Sequence, residues 1–330
     1  METCELLAGT ADGILRVSVS STGGAEVVSR GLKGHAIRGI AQHPFRPGTF
    51  YIAAGLRGWG LHATCDYGQT FTSLGFEDYW CWDIVIDEAN TDRLLLGTEP
   101  PMLWESLDAG TTWRSFPEID QVESRSQWIF FHPPFHAGHL HGIALSSHRP
   151  KRILVGVEHG GLLRTEDAGE TWIDVMPGAD LHRIVIHPEN PDRIFAGTGS
   201  GLFVSIDGGL GWERVSGLGK RYVHGIVIDP DDPRRMYVYV DSQQCPVYRS
   251  SDSGESWEPA GSGLPSSRPA DPICRHPGSP GTLFYTGDYA DGSTLYLSED
   301  SGDSWHRIKL ELPKVWRLQG IPEDRSHPDG

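Results

Sequence analysis

Three histidines in this 330-residue chain share a local signature: His141-Gly-Ile, His182-Arg-Ile and His224-Gly-Ile. The same register recurs at Arg38-Gly-Ile, Trp82-Asp-Ile, Asp271-Pro-Ile and Trp316-Arg-Leu. Neutral imidazoles converging on one point suit a divalent transition metal, whether Zn, Fe, Mn, Ni or Cu. A second repeated position carries Glu99, Glu158, Gly199, Asp241 and Asp288, with His159 beside Glu158. Acids placed there can orient the ring N–H groups from behind, and Glu158, His159 or Asp241 can move a proton. Arg38 is suited to clamp a carboxylate or phosphate, or else to pair with Glu99 or Asp288. Trp82 and Trp316 are suited to wall a ring-bearing or apolar ligand, and Arg57 and Trp59 occupy the equivalent loop of another copy. The competing chemistry leaves out the metal and uses the histidines as hydrogen-bond donors and general bases.

A repeated scaffold must bring these positions together, and the chain shows one. The pattern Ser/Thr-x-Asp-x-Gly-x-x-Trp/Phe occurs six times, with its aspartates at Asp66, Asp108, Asp167, Asp207, Asp252 and Asp300. The intervals of 42, 59, 40, 45 and 48 residues match one four-stranded propeller blade. Asp and Ser side chains hold a tight turn, Gly supplies a backbone conformation that other residues avoid, and the aromatic residue starts the next strand. Ahead of the boxes lie apolar runs ending in a small residue, such as Arg93-Leu-Leu-Leu-Gly97, Arg152-Ile-Leu-Val-Gly156 and Arg193-Ile-Phe-Ala-Gly197. Upstream of each lies another strand, joined by a cluster rich in Pro, Asn and Asp.

On these motifs the chain resembles the Asp-box (BNR-repeat) propellers, among them sialidases, xyloglucanases, sortilin-type receptors and photosystem assembly factors. The resemblance implies an all-β propeller of four-stranded blades with the six boxes on the outer rim as structural turns; six boxed blades and one composite blade make it a seven-bladed β-propeller. The N-terminus supplies strands two to four of a blade, from Glu5-Leu-Leu-Ala-Gly9 onward. Pro313-Lys-Val-Trp-Arg-Leu-Gln-Gly-Ile321 supplies the missing first strand, so the two ends complete a composite blade. Residues 1–330 read as a single propeller domain. The long stretch 114–140, with Trp128, Phe130, Phe131, His132, Phe135, His136 and His139, reads either as a lid over the channel mouth or as a connector packed on the rim. His139 is a possible fourth ligand, because alternation along a strand brings it to the same side as His141. His43, His62, His132, His187 and His276 read as structural.

Composition narrows the function classes. A formal charge of −16 argues against nucleic acid or an anionic membrane as partner. Five scattered cysteines and an N-terminus without a basic start point to a reduced, cytoplasmic protein. The sialidase Phe-Arg-Ile-Pro segment is missing, and the inner ring offers one arginine where sialidases use three. Xyloglucanases work in a cleft between two propellers, and this chain has the length of one. The expectation is a metal-dependent lyase or hydrolase acting on a small molecule, carboxylate-bearing or aromatic, with His141, His182 and His224 as ligands. The alternatives are a non-haem metal oxygenase and a non-catalytic binding or assembly propeller.

Overall fold

The computed structural model describes residues 3–20, 23–56, 58–129, 138–267, 271–289 and 291–322. Among them are seven four-stranded antiparallel sheets, arranged as the blades of an all-β propeller. Blades 1 to 6 follow the chain, with inner strands Ile37–Gln42, Trp80–Asp87, Leu140–Leu145, Leu181–His187, Val223–Ile228 and Ile273–Arg275. Blade 7 is composite: its inner strand Val315–Ile321 pairs with Cys4–Thr10, followed by Gly13–Val19 and Ala25–Gly31. The inner strands touch in ring order around the central channel.

The apolar runs read in the sequence are the second strands. They are buried on both faces because each blade is sandwiched between two others. The clusters span blade boundaries: Leu95 and Leu103 of blade 2 pack with Ile143, Val155 and Leu163 of blade 3. The small residues ending those strands permit this approach. A Cβ on Gly97 would stand 2.3 Å from the Leu140 carbonyl oxygen, and one on Gly156 would stand 2.8 Å from that of His141. Arginines at the starts of the same strands tie blades together, Arg93 Nη1 donating to Pro150 O at 2.9 Å and Arg152 Nη1 to Pro191 O at 2.6 Å.

All six boxes are built alike. In the third, the Thr165 hydroxyl accepts from Gly169 N at 3.0 Å and donates to Asp167 Oδ1 at 2.6 Å. Asp167 Oδ1 also accepts from Thr171 N at 2.9 Å, while Gly169 sits at φ +93°. The carboxylates are consumed by their own turns, which accounts for the repeat in mechanical terms.

Part of the long 114–140 stretch is visible. Residues 117–121 and 123–127 form two short 3₁₀ turns. Phe116, Ile119, Val122 and Trp128 bury themselves in the blade 2–3 core. Ser124 Oγ donates to Asp174 Oδ1 at 2.6 Å and accepts from Trp128 Nε1 at 2.9 Å. This described part packs into the core between blades 2 and 3, with Trp128 against Gly138 and Gly160. Trp128, considered as a pocket wall, is a core residue instead, 2% exposed. Phe130, Phe131, His132, Phe135 and His136 lie outside the described residues, as does Arg57.

Candidate functional site at the channel mouth

The column of mouth residues has a backbone cause. Between Ile37 and Gly39, Cys81 and Asp83, Leu181 and Arg183, and Val223 and Gly225, the inner strand carries one residue more than its partner. The extra residues are Arg38, Trp82, His182 and His224. Blade 3 has the same slip between His141 and Ile143, and the composite blade has it around Trp316. A bulge of this kind takes a residue out of the ladder and re-aims its side chain, here toward the channel. Blade 6 differs: Asp271 precedes the inner strand and bridges to Arg317 of the next blade.

Chemistry concentrates on one side of the mouth. His139 Nε2 is paired with Glu158 Oε2, and its Nδ1 stands 3.6 Å from Glu99 Oε2. Trp82 stacks on His139 with ring centroids 3.6 Å apart and planes 8° from parallel. His141 Nε2 is 3.5 Å from the same Glu158 oxygen. Across a ring contact of 5.6 Å lies His182, whose Nε2 is 3.3 Å from Asp180 Oδ2. Asp180 Oδ2 also accepts from the Tyr222 hydroxyl at 3.0 Å, and Tyr222 packs on His224 at 4.4 Å. Two sets of three ligand atoms therefore converge, each within 4.8 Å: His139, His141 and Glu158, and Glu158, Asp180 and His182.

The electrostatics keep these groups ready to bind a cation. Burial pushes His141 down to about 3, and although Glu158 pulls the other way the ring stays neutral. Burial likewise lowers His139. Burial would favour a protonated Glu158, but the imidazoles, His139 foremost, outweigh it and hold the carboxyl below its usual range. Asp180 shows the same balance, burial being outweighed by the bond with His182. Neutral imidazole next to carboxylate is the protonation state that metal ligation requires. His141 Nε2 is buried without a hydrogen-bond partner, an unusual state for a buried polar atom.

Beside this cluster, Arg38 lies between two indoles, 4.4 Å from the Trp82 ring and 4.5 Å from that of Trp316. Burial lowers it to about 10, opposed by Glu158 and Asp271, so it remains a cation. Below, the channel is crossed by charge. Arg183 Nη1 lies 3.9 Å from Asp83 and 3.8 Å from Asp271, and Arg317 pairs with Asp271. Asp83 also accepts from Ile143 N at 3.1 Å.

The other residues singled out in the sequence spread around the mouth. His224 touches His182, with centroids 5.5 Å apart, but belongs to neither converging set. His159 is exposed at φ +56°, 3.8 Å from Asp180. Trp59 is 46% exposed and faces Trp80 at 5.8 Å. Asp288 is paired with Lys314, and Asp241 is exposed. The structural histidines behave as expected at two turns: His43 Nδ1 accepts from Phe45 N at 3.1 Å and His187 Nδ1 from Glu189 N at 3.3 Å. Trp80, Asp180 and Tyr222 were missed. Each stands two residues before a bulge residue, as His139 does, and strand alternation brings that position to the mouth.

Comparison with known proteins agrees with this architecture. A model described as sortilin, neurotensin receptor 3 (Sortilin-Vps10) matches residues 200–328. With six boxes built alike on a seven-bladed ring, the conclusion is direct. The chain is an Asp-box β-propeller. It is 28% identical over 228 residues to an oligoxyloglucan reducing end-specific xyloglucanase of Emericella nidulans, covering 61% of this propeller and 28% of the relative. It is also 28% identical over 183 residues to the xyloglucanase Xgh74A of Acetivibrio thermocellus, covering 44% of the propeller and 21% of the relative. The propeller thus spans less than a third of these enzymes. Among solved structures, a GH74 xyloglucanase from Xanthomonas campestris superimposes with a TM-score of 0.63 at 18% identity, over 92% of the propeller and 46% of that chain. YCF48 bound to D1 peptide does so at 0.56 and 16%, over 88% and 94%. These likenesses concern the fold, which hosts hydrolases and binding proteins alike.

Proposed function

We propose that this propeller is a metal-dependent hydrolase acting on a small anionic or sugar-like substrate at its channel mouth. One observation carries the reading: His139, His141 and Glu158 present converging, buried ligand atoms, and His141 Nε2 has no hydrogen-bond partner. This set replaces the three-histidine set read from the sequence, keeping His141 and exchanging His182 and His224 for His139 and Glu158. The donors suit Zn, Fe, Mn, Ni or Cu, and such an ion supplies Lewis acidity and a water acidified toward neutrality.

The remaining work falls to the chain. Glu99, behind His139, orients that ring. Asp180, ionised and held by Tyr222, is placed to take a proton from the attacking water. Arg38 offers a cation to a carboxylate or phosphate, and Trp59 and Trp80 supply stacking faces. The xyloglucanase relatives support hydrolysis over elimination. They bear less on the substrate, because the matched region is a small part of those enzymes.

A second reading, non-haem iron oxygenase, is favoured by the composition of the set, since two histidines and one carboxylate with open positions also suit Fe(II). The test loads tag-free protein with Zn(II), Mn(II) or Fe(II). Metal content is then measured for wild type and His139→Ala, with panels of chromogenic glycosides and esters alongside oxygen uptake. Near-stoichiometric metal lost in the variant, with metal-dependent hydrolysis, supports the proposal. Oxygen uptake with Fe(II) alone would favour the oxygenase. Absence of metal in wild type after reconstitution sinks both.

A further inference from the structure

We infer that the channel mouth holds two metal ions, bridged by Glu158. The inference rests on the metal-dependent reading above and adds a second ion to it. Glu158 is common to both converging sets, sharing its carboxylate between His139 and His141 in one and Asp180 and His182 in the other. A bridging carboxylate is how two-metal hydrolases hold their ions roughly 3.5–4 Å apart.

The second set is independently prepared. His182 Nε2 is buried, 3.3 Å from Asp180 Oδ2. Tyr222 donates to the same Oδ2 at 3.0 Å, which fixes the carboxylate. Oδ1 is then left buried without a hydrogen bond, 3.8 Å from His159 Nε2. A buried carboxylate oxygen left unsatisfied within a set of converging ligand atoms is costly unless something binds it.

Arg38, next to the cluster, suits the leaving group or the body of an anionic ester that spans both ions.

The experiment is Mn(II) titration of the full chain after chelation and desalting. Bound metal is counted by ICP-MS, and EPR reports spin coupling. The variants are Asp180→Asn, His182→Gln and His139→Ala, with circular dichroism confirming that each is folded. The expected result is two Mn per chain with an exchange-coupled signal, falling to one uncoupled Mn in Asp180→Asn and His182→Gln. One Mn in wild type, unchanged by those two substitutions but lost in His139→Ala, overturns the bridged pair while the single-metal hydrolase stands. Two Mn without coupling also overturns it. No Mn in any sample overturns the hydrolase proposal itself.

Discussion

Asp167 on the rim and Asp180 at the mouth are aspartates thirteen positions apart in the sequence, and the fold treats them oppositely. Asp167 is half-exposed, and both its oxygens are taken by the turn it belongs to: Thr165, Thr171 and the Thr171 backbone. Asp180 is mostly buried, yet one of its oxygens makes no hydrogen bond. The contrast extends to whole regions. Six rim boxes repeat one closed pattern, whereas the mouth varies among Arg, Trp, His and Asp from blade to blade and leaves buried atoms unsatisfied. Unpaired buried polar atoms cost stability, and a protein retains them where a ligand completes them. Repetition marks the architecture here, and departure from repetition marks the chemistry.

The sharpest break of this contrast is Glu158→Gln. The amide keeps the size but loses the anion that two histidines and Asp180 surround. Metal content should fall to background and turnover by about 100-fold or more, since even outer partners of a metal cost about 10–100-fold. The melting temperature should change little. Retained activity would move the chemistry elsewhere.

Next comes the charged floor of the channel. Asp83→Ala removes a buried carboxylate that accepts from Ile143 N and faces Arg183. Burial opposes the charge of Arg183, while Asp271 and Asp83 more than offset that and raise it. Losing one partner should cost about 3 kcal/mol, read from urea unfolding. A variant as stable as wild type would show that Asp271 alone suffices.

Much of this molecule was legible beforehand because its grammar is local. A box needs only Ser, Asp, Gly and Trp within eight positions, so six copies declared six of the seven blades and the rim at once. The mouth column was legible through the dipeptides after Arg38, Trp82, His141, His182, His224, Asp271 and Trp316. What escaped was which of these meet. The bulge aims a side chain, but convergence depends on how far adjacent blades rotate, and no local pattern encodes that. Asp180 and Tyr222 were hidden for another reason: they lie two positions earlier, where the inner strand has not yet joined its ladder. His139 was glimpsed because alternation tied it to His141.

Two predictions concern the rim. Thr165→Val removes the hydroxyl that receives the buried Gly169 N–H and should cost about 2 kcal/mol in urea, with activity untouched. An equal loss of turnover would erase the distinction between rim and mouth. The box carboxylates also set an acid limit. Hydrogen bonds from Thr165 and Thr171 bring Asp167 to about 2. For Asp300, burial pulls upward and bonds from Ser304 prevail, again giving about 2. A carboxyl more acidic folded than unfolded stabilises the fold above its unfolded value near 3.9 and loses that contribution as pH falls toward 2. Urea midpoints should therefore drop between pH about 4 and 2, less steeply in Thr165→Val. The smallest effect belongs to Asp241→Asn. Exposed and outside both ligand sets, it should leave turnover within about twofold, consistent with surface substitutions.

The composite blade has a consequence for how the molecule is made. Cys4–Thr10 is synthesised before the six sequential blades, and its ladder partner Val315–Ile321 after them. Until then the early strand has one naked edge, and six blades assemble as an open arc with a sticky lip at either end. The ring snaps shut in a single late step. The side chains of the mouth cluster, from His139 to His182, can gather before that moment, so assembly of the proposed site need not wait for closure.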